Sequence, residues 1–304
     1  MNQISALGPP RTGKKVLTKE EFFEEMKNWQ KIEPTILETP NQATTTTPDP
    51  TQTVIPTRAG SQSYFQKLGR FNLGSITKKG QDYVFHDLEL PMGYWTELTL
   101  YSQLLPGDPR TFDAWAEVTK NNQPTGVTPA DIRYALMTVC YLNKNKPQLK
   151  PIIQEIHSSI LTPDAKTHYP HNSTKIEYRA KAPAIITPGN GWPINHPFSA
   201  QYEANISGLN SEISNATALQ DPTIQSALED ILGENDPNRC KQVIEWAMNT
   251  KPAKLWRCNQ DHTGHRVLVF GVYVGYANIG ANDGDLNHRP ARAVNADAKN
   301  FHTK

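Results

Sequence analysis

Residues 128–140 read TPADIRYALMTVC. Thr128-Pro129 has the form of a helix N-cap followed by the first helical position. Asp131 adds an acid to the first turn, where the helix dipole favours it. Ile132, Ala135, Leu136, Val139 and Cys140 then recur at intervals of three and four, which is one face of a helix.

The same device recurs along the chain. Asp108-Pro109 opens a segment with Phe112, Trp115 and Ala116, and Lys150-Pro151 leads into Ile152, Ile153, Ile156 and Ile160. Asp221-Pro222 precedes Ile224, Leu228 and Ile231, with Gly233 as a stop, and Asp236-Pro237 precedes Val243, Ile244 and Ala247. Helical spacing also links Tyr94, Leu98, Tyr101 and Leu105, and later Tyr202, Ile206, Leu209 and Ile213. Trp95, Trp115 and Trp246 fall at core positions of these segments. The expected fold class is mainly α with a small β component (α+β), built on a helical core.

The β component is expected at the two ends of that core. Residues 61–90 carry short apolar stretches punctuated by Gly69, Gly74 and Gly80, read as short strands or loops. RVLVFGVYVGYANIG, residues 266–280, reads as a strand with an abrupt turn. Between them, residues 162–200 hold prolines at 163, 170, 183, 188, 193 and 197, which exclude a long helix. This stretch of a 61–279 core is expected to be either a hinge loop that splits it into two lobes or a loop that wraps something. Residues 280–304 are polar without periodicity and are expected to form a disordered tail.

The N-terminal region has its own layout. Residues 1–17 are basic and expected to be disordered. Thr18 and Glu21 form a capping box that opens a short amphipathic helix over 18–32. Its stripe is Phe22, Met26 and Trp29, with Phe23 beside it; Glu20, Glu21, Glu24 and Glu25 make its polar side acidic. A helix this short is marginal alone in water, so its stripe needs a surface elsewhere. Residues 33–60 form a Thr/Pro-rich tether that lets that surface lie on another subunit.

The totals narrow the classes. The chain has 304 residues and a net charge of +1, so a strongly basic nucleic-acid binder is not indicated by total charge. No run of 18 apolar residues predicts a membrane span. Residues 1–15 lack the apolar region of a signal peptide. With only Cys140, Cys240 and Cys258, a cytoplasmic setting with reduced thiols is expected. Sequons at Asn172, Asn205 and Asn215 are then chance occurrences.

Charge is segregated. Residues 50–81 contain Arg58, Lys67, Arg70, Lys78 and Lys79 and no acid, interleaved with Tyr64, Phe65 and Phe71. Residues 203–236 contain seven acids and no Lys or Arg, and Lys251 to Arg266 is basic again. Cations that hold phosphates beside rings that stack on bases suit single-stranded nucleic acid. The candidate nucleic-acid-binding residues are Lys67, Arg70, Phe71, Lys78 and Lys79, joined by Tyr178 and Arg179. The candidate subunit-interface residues are Phe22, Phe23, Met26 and Trp29, with Trp192 a further contact candidate.

Signs of chemistry are sparse. GPPRTGKK, residues 8–15, has the glycines and lysine of a phosphate loop, but too little chain precedes it for the required strand. Lys15 also stands where a magnesium-binding hydroxyl belongs. Cys258, His262 and His265, with Cys240 upstream, offer a loose zinc quartet. His168 and His171 near Asp164 form another loose cluster. Cys140, on an apolar helix face, is expected to be buried and inert. No catalytic residues and no cofactor are expected.

This layout resembles that of coat and nucleocapsid proteins of helical RNA viruses, in organisation across the chain rather than in motif. The resemblance implies a non-enzymatic structural protein that self-assembles and coats single-stranded nucleic acid, RNA in particular. It would be found in the virion and host cytoplasm. Two other readings remain open: an adaptor whose arm helix binds an unrelated partner, and a zinc-stabilised domain or enzyme.

Overall fold

The computed structural model describes residues 71–91, 93–105, 112–120, 125–162, 171–179, 182–188, 191, 201–204, 206, 216–255, 264–273, 276–283, 292–295 and 300–302. All belong to the unit Thr53–Lys304. The arm, the tether, Lys67, Arg70 and Trp192 lie outside the described residues.

The chain begins with an antiparallel meander: β1 (Ser75–Lys79), β2 (Asp82–Leu90) and β3 (Gly93–Leu104). Gly80, at φ 65°, makes the tight turn between the first two. α1 (Phe112–Lys120), β4 (Thr125–Val127), α2 (Ala130–Asn143) and α3 (Lys150–Ile156) follow, the last running into a π turn over His157–Leu161. A second group contains β5 (His171–Arg179), β6 (Ala182–Thr187) and β7 (Tyr202–Ala204). Next come α4 (Ala216–Gln220), α5 (Pro222–Leu232) and α6 (Pro237–Ala247). β8 (Ala253–Leu255), β9 (Gly264–Tyr273), β10 (Tyr276–Asp283), β11 (Arg292–Asn295) and β12 (Phe301–His302) complete the order.

The strands form two sheets. One has the order β1-β2-β3-β11-β4, with β12 also on β3, and is antiparallel throughout. The other has the order β7-β6-β5-β9-β10-β8, antiparallel except for the edge pair β8–β10. More described residues lie in strands than in helices, so the fold mixes α and β and is not mainly α as expected.

Three segments account for the difference. Tyr94 to Leu105, expected as a helix, is strand β3. Its buried side chains are Trp95, Leu98 and Leu100, a strand alternation with one three-residue step. That step lies opposite Asp87, whose backbone is left-handed at φ 49°. Tyr94 and Tyr101 lie on the face opposite buried Leu98, so the apparent helical spacing joins apolar residues from both faces of the strand. The proline-rich stretch 162–200, expected as a loop, holds β5 and β6, with its described prolines at strand margins. Tyr202, expected to begin a helix, begins β7.

The expected tail also contributes structure. β11 inserts between β3 and β4, and its Val294 is fully buried. The C-terminal strands thus complete the sheet that the first strands began.

α2 is the centre of the core, with every residue from Ala130 to Cys140 buried. Its polar side chains have partners. Asp131 Oδ1 accepts from Ile132 N at 2.8 Å, Thr138 Oγ1 donates to the Tyr134 carbonyl at 2.9 Å, and Arg133 lies 5.8 Å from the Phe270 ring centre. The expected Thr128 cap is replaced. Pro129 occupies the cap position, and Ala130 N donates to Thr174 Oγ1 in β5 at 2.9 Å. Neighbouring β5 side chains are tied in the same way: Asn172 Nδ2 donates to Leu268 O at 3.0 Å, and Ser173 Oγ to Pro188 O at 3.1 Å. Burial of Asn172 closes that sequon to glycan attachment in the folded chain.

α5 and α6 begin as expected. Asp221 caps Thr223 N at 2.8 Å, and Asp236 accepts from Asn238 N and Arg239 N. Gly233 ends α5 in the left-handed conformation at φ 70°.

Candidate functional site

Lys78 and Lys79 sit on β1, the edge strand of the first sheet, with both side chains exposed. An edge lysine is a common guard against strand pairing, so exposure there does not by itself mark a site. Lys78 is engaged: its ammonium forms a short ion pair with Glu155 of α3 and lies 5.6 Å from the Tyr83 ring centre. The hydrogen bond from Lys78 holds the Glu155 carboxyl below its ordinary range, and the same bond raises the lysine. Burial raises the Tyr83 hydroxyl.

Tyr178 and Arg179 lie on the other sheet. Tyr178 is buried and has no ring face open to a base. Arg179 is a strut between strands. Its Nε and Nη2 donate to Pro183 O at 2.8 and 2.6 Å, and Nη2 reaches Glu203 Oε1 at 2.7 Å. Phe71 is half-buried beneath Arg239, whose guanidinium carbon is 5.0 Å from the ring centre. The structure therefore places the described strand candidates on two sheets and Phe71 just before the first, with Lys78 and Arg179 committed to carboxylates and Phe71 to a cation.

Arg239 leads to a buried knot. Glu234 is fully buried, and its carboxylate takes Arg239 Nη2 at 2.6 Å and Asp236 N at 2.8 Å on Oε1. Its Oε2 takes Arg239 Nε at 2.7 Å and the Tyr134 hydroxyl at 2.7 Å. Four donors on one carboxylate satisfy it fully, so the knot joins α2 to the start of α6 and needs no ligand. Cys240, beside it, is fully buried, and desolvation with the Glu234 charge pushes its thiol well up. His265 is exposed on β9. These two members of the zinc quartet occupy opposite environments; Cys258 and His262 lie outside the described residues. Among the described residues no group of His, Cys, Asp and Glu is placed to hold a metal.

A surface that the sequence reading passed over lies at the C-terminal turns of α2 and α6. Tyr141 and Trp246 pack edge to face with centres 5.8 Å apart, and the Tyr141 hydroxyl donates to Gln242 Oε1 at 3.0 Å. His157, in the π turn, lies against the Trp246 ring at 4.5 Å, with its Nε2 2.7 Å from the Trp246 carbonyl. Lys144 Nζ is 3.4 Å from the Tyr141 ring centre, and burial lowers its pKa. Leu142 is 47% exposed, the one large hydrophobic side chain so open among the described residues. Lys146, in the turn after α2, and Lys150, at the start of α3, are also exposed. The signal was NKNKPQLK, residues 143–150, with three lysines and no acid.

No protein-family model matches the chain, and comparison with curated proteins and with solved structures likewise gives no match. Among the described residues no helix is long and apolar enough to cross a membrane.

Proposed function

We propose that this chain is a structural, non-enzymatic protein that assembles with copies of itself around single-stranded nucleic acid, its subunits linked by the N-terminal arm. The observation that carries the assembly part is Leu142, 47% exposed and the one large apolar side chain so open among the described residues, in the last turn of α2 next to Tyr141, which packs on Trp246. Such a patch with a polar rim suits a protein partner. The chain supplies a candidate in its own apolar arm stripe.

The nucleic-acid part rests on the segregated basic stretches of the sequence and on exposed Lys79. Engagement of Lys78 and Arg179 shifts that part toward Lys67, Arg70 and Lys79. The test is gel-filtration light scattering of the full chain before and after nuclease treatment. A large species that carries nuclease-sensitive 260 nm absorbance supports the reading; a single subunit free of nucleic acid overturns it.

A further inference from the structure

We propose that residues 18–32 of one copy dock on the surface formed by Tyr141, Leu142, Trp246, Lys146 and Lys150 of a neighbouring copy. The inference rests on the arm-linked reading above and names the surface that the arm takes.

Two complementarities point to it. The first is apolar. At about 100° per residue, Phe22, Met26 and Trp29 would fall on one stripe of the helix that the sequence leads one to expect over 18–32. Leu142, 47% exposed, follows half-buried Tyr141 in the last turn of α2, and Tyr141 packs on Trp246 in the last turn of α6. The second is charge. Glu21 and Glu25, one turn apart, flank that stripe on the same side, whereas Glu20 and Glu24 lie away from it. Residues 141–154 hold Lys144, Lys146 and Lys150 and no acid. Lys144 is spent on the Tyr141 ring, which leaves Lys146 and Lys150, exposed, to meet the two glutamates.

The geometry favours this occupant over nucleic acid. Stacking of a base needs an open ring face. Lys144 covers one face of Tyr141, and His157 lies against Trp246, which reduces the ring surface open to a base. The most exposed apolar group here is the aliphatic Leu142, which suits packing against an apolar helix stripe.

A charge swap in the full-length chain tests it, read by light scattering with 260/280 nm absorbance. K146E/K150E and E21K/E25K should each lower the assembled fraction at least tenfold at moderate salt. The two combined should restore it, and E20K/E24K should leave it unchanged. Single swaps that assemble like the unmodified chain, or a combination that stays dissociated, would overturn the inference while leaving arm-linked assembly intact. If K146E/K150E keeps its size but loses its 260 nm absorbance, the surface belongs to nucleic acid and the inference fails. An unmodified chain that runs as single subunits removes both the inference and the reading beneath it.

Discussion

Tyr134 in α2 donates its hydroxyl to Glu234 Oε2 at 2.7 Å, joining residues 100 positions apart. The same carboxylate holds both arms of Arg239. Removing one partner of a buried charged pair strands the other. Glu234→Ala should therefore cost about 3–5 kcal/mol, and Tyr134→Phe, which loses one bond to a charge, about 1.5–3 kcal/mol. Chemical denaturation of the two variants checks the order. Equal midpoints for Glu234→Ala and the unmodified protein would refute a structural role for the knot.

Gly191 has no room for a side chain. A Cβ there would lie 2.3 Å from Pro129 Cδ and 2.3 Å from the Val127 carbonyl oxygen. Gly191→Ala should displace the segment leading into α2 and cost about 1–3 kcal/mol. Thermal unfolding reads the effect; an unchanged midpoint would contradict the packing.

The buried thiols make an alkaline prediction. Desolvation pushes Cys140 up to about 12, against an ordinary value of 9.0, and raises Cys240 as well. A folded-state pKa above the unfolded one gives stability that is present below pH 9 and lost as pH rises toward 12. The slope from Cys140 is about 1.4 kcal/mol per pH unit. In a Cys258→Ser background, a thiol-reactive dye at pH 8 should label the native chain only upon denaturation. Rapid labelling of the native chain would show that burial does not protect these groups.

The helix caps should be worth ordinary amounts. Asp221→Ala and Asp236→Ala each remove a side-chain acceptor from a helix start and should cost about 1 kcal/mol. Urea unfolding of each variant is the check.

Those caps were legible because Asp-Pro followed by an apolar periodicity, with Gly233 as a stop, is local chemistry. The β9–β10 hairpin was legible for the same reason, from alternating residues around a turn. What escaped was non-local. β3 imitates a helix because apolar residues from both its faces, Tyr94 and Tyr101 on one and Leu98 on the other, fall three and four apart, which only its pairing with β2 reveals. The cap of α2 comes from Thr174, 44 residues on, so no local motif could name it. β11 is short and polar, and it is a strand because β3 and β4 leave a place for it. Candidate cations were visible as residue types, but their partners were not: Glu155 for Lys78 and Glu203 for Arg179 come from elsewhere in the chain.

The most direct measurement is light scattering of full-length protein at moderate salt, with absorbance recorded at 260 and 280 nm. The account predicts a multi-subunit species with excess 260 nm absorbance that falls away in high salt as phosphates are released. A single subunit with a protein-only spectrum would contradict it.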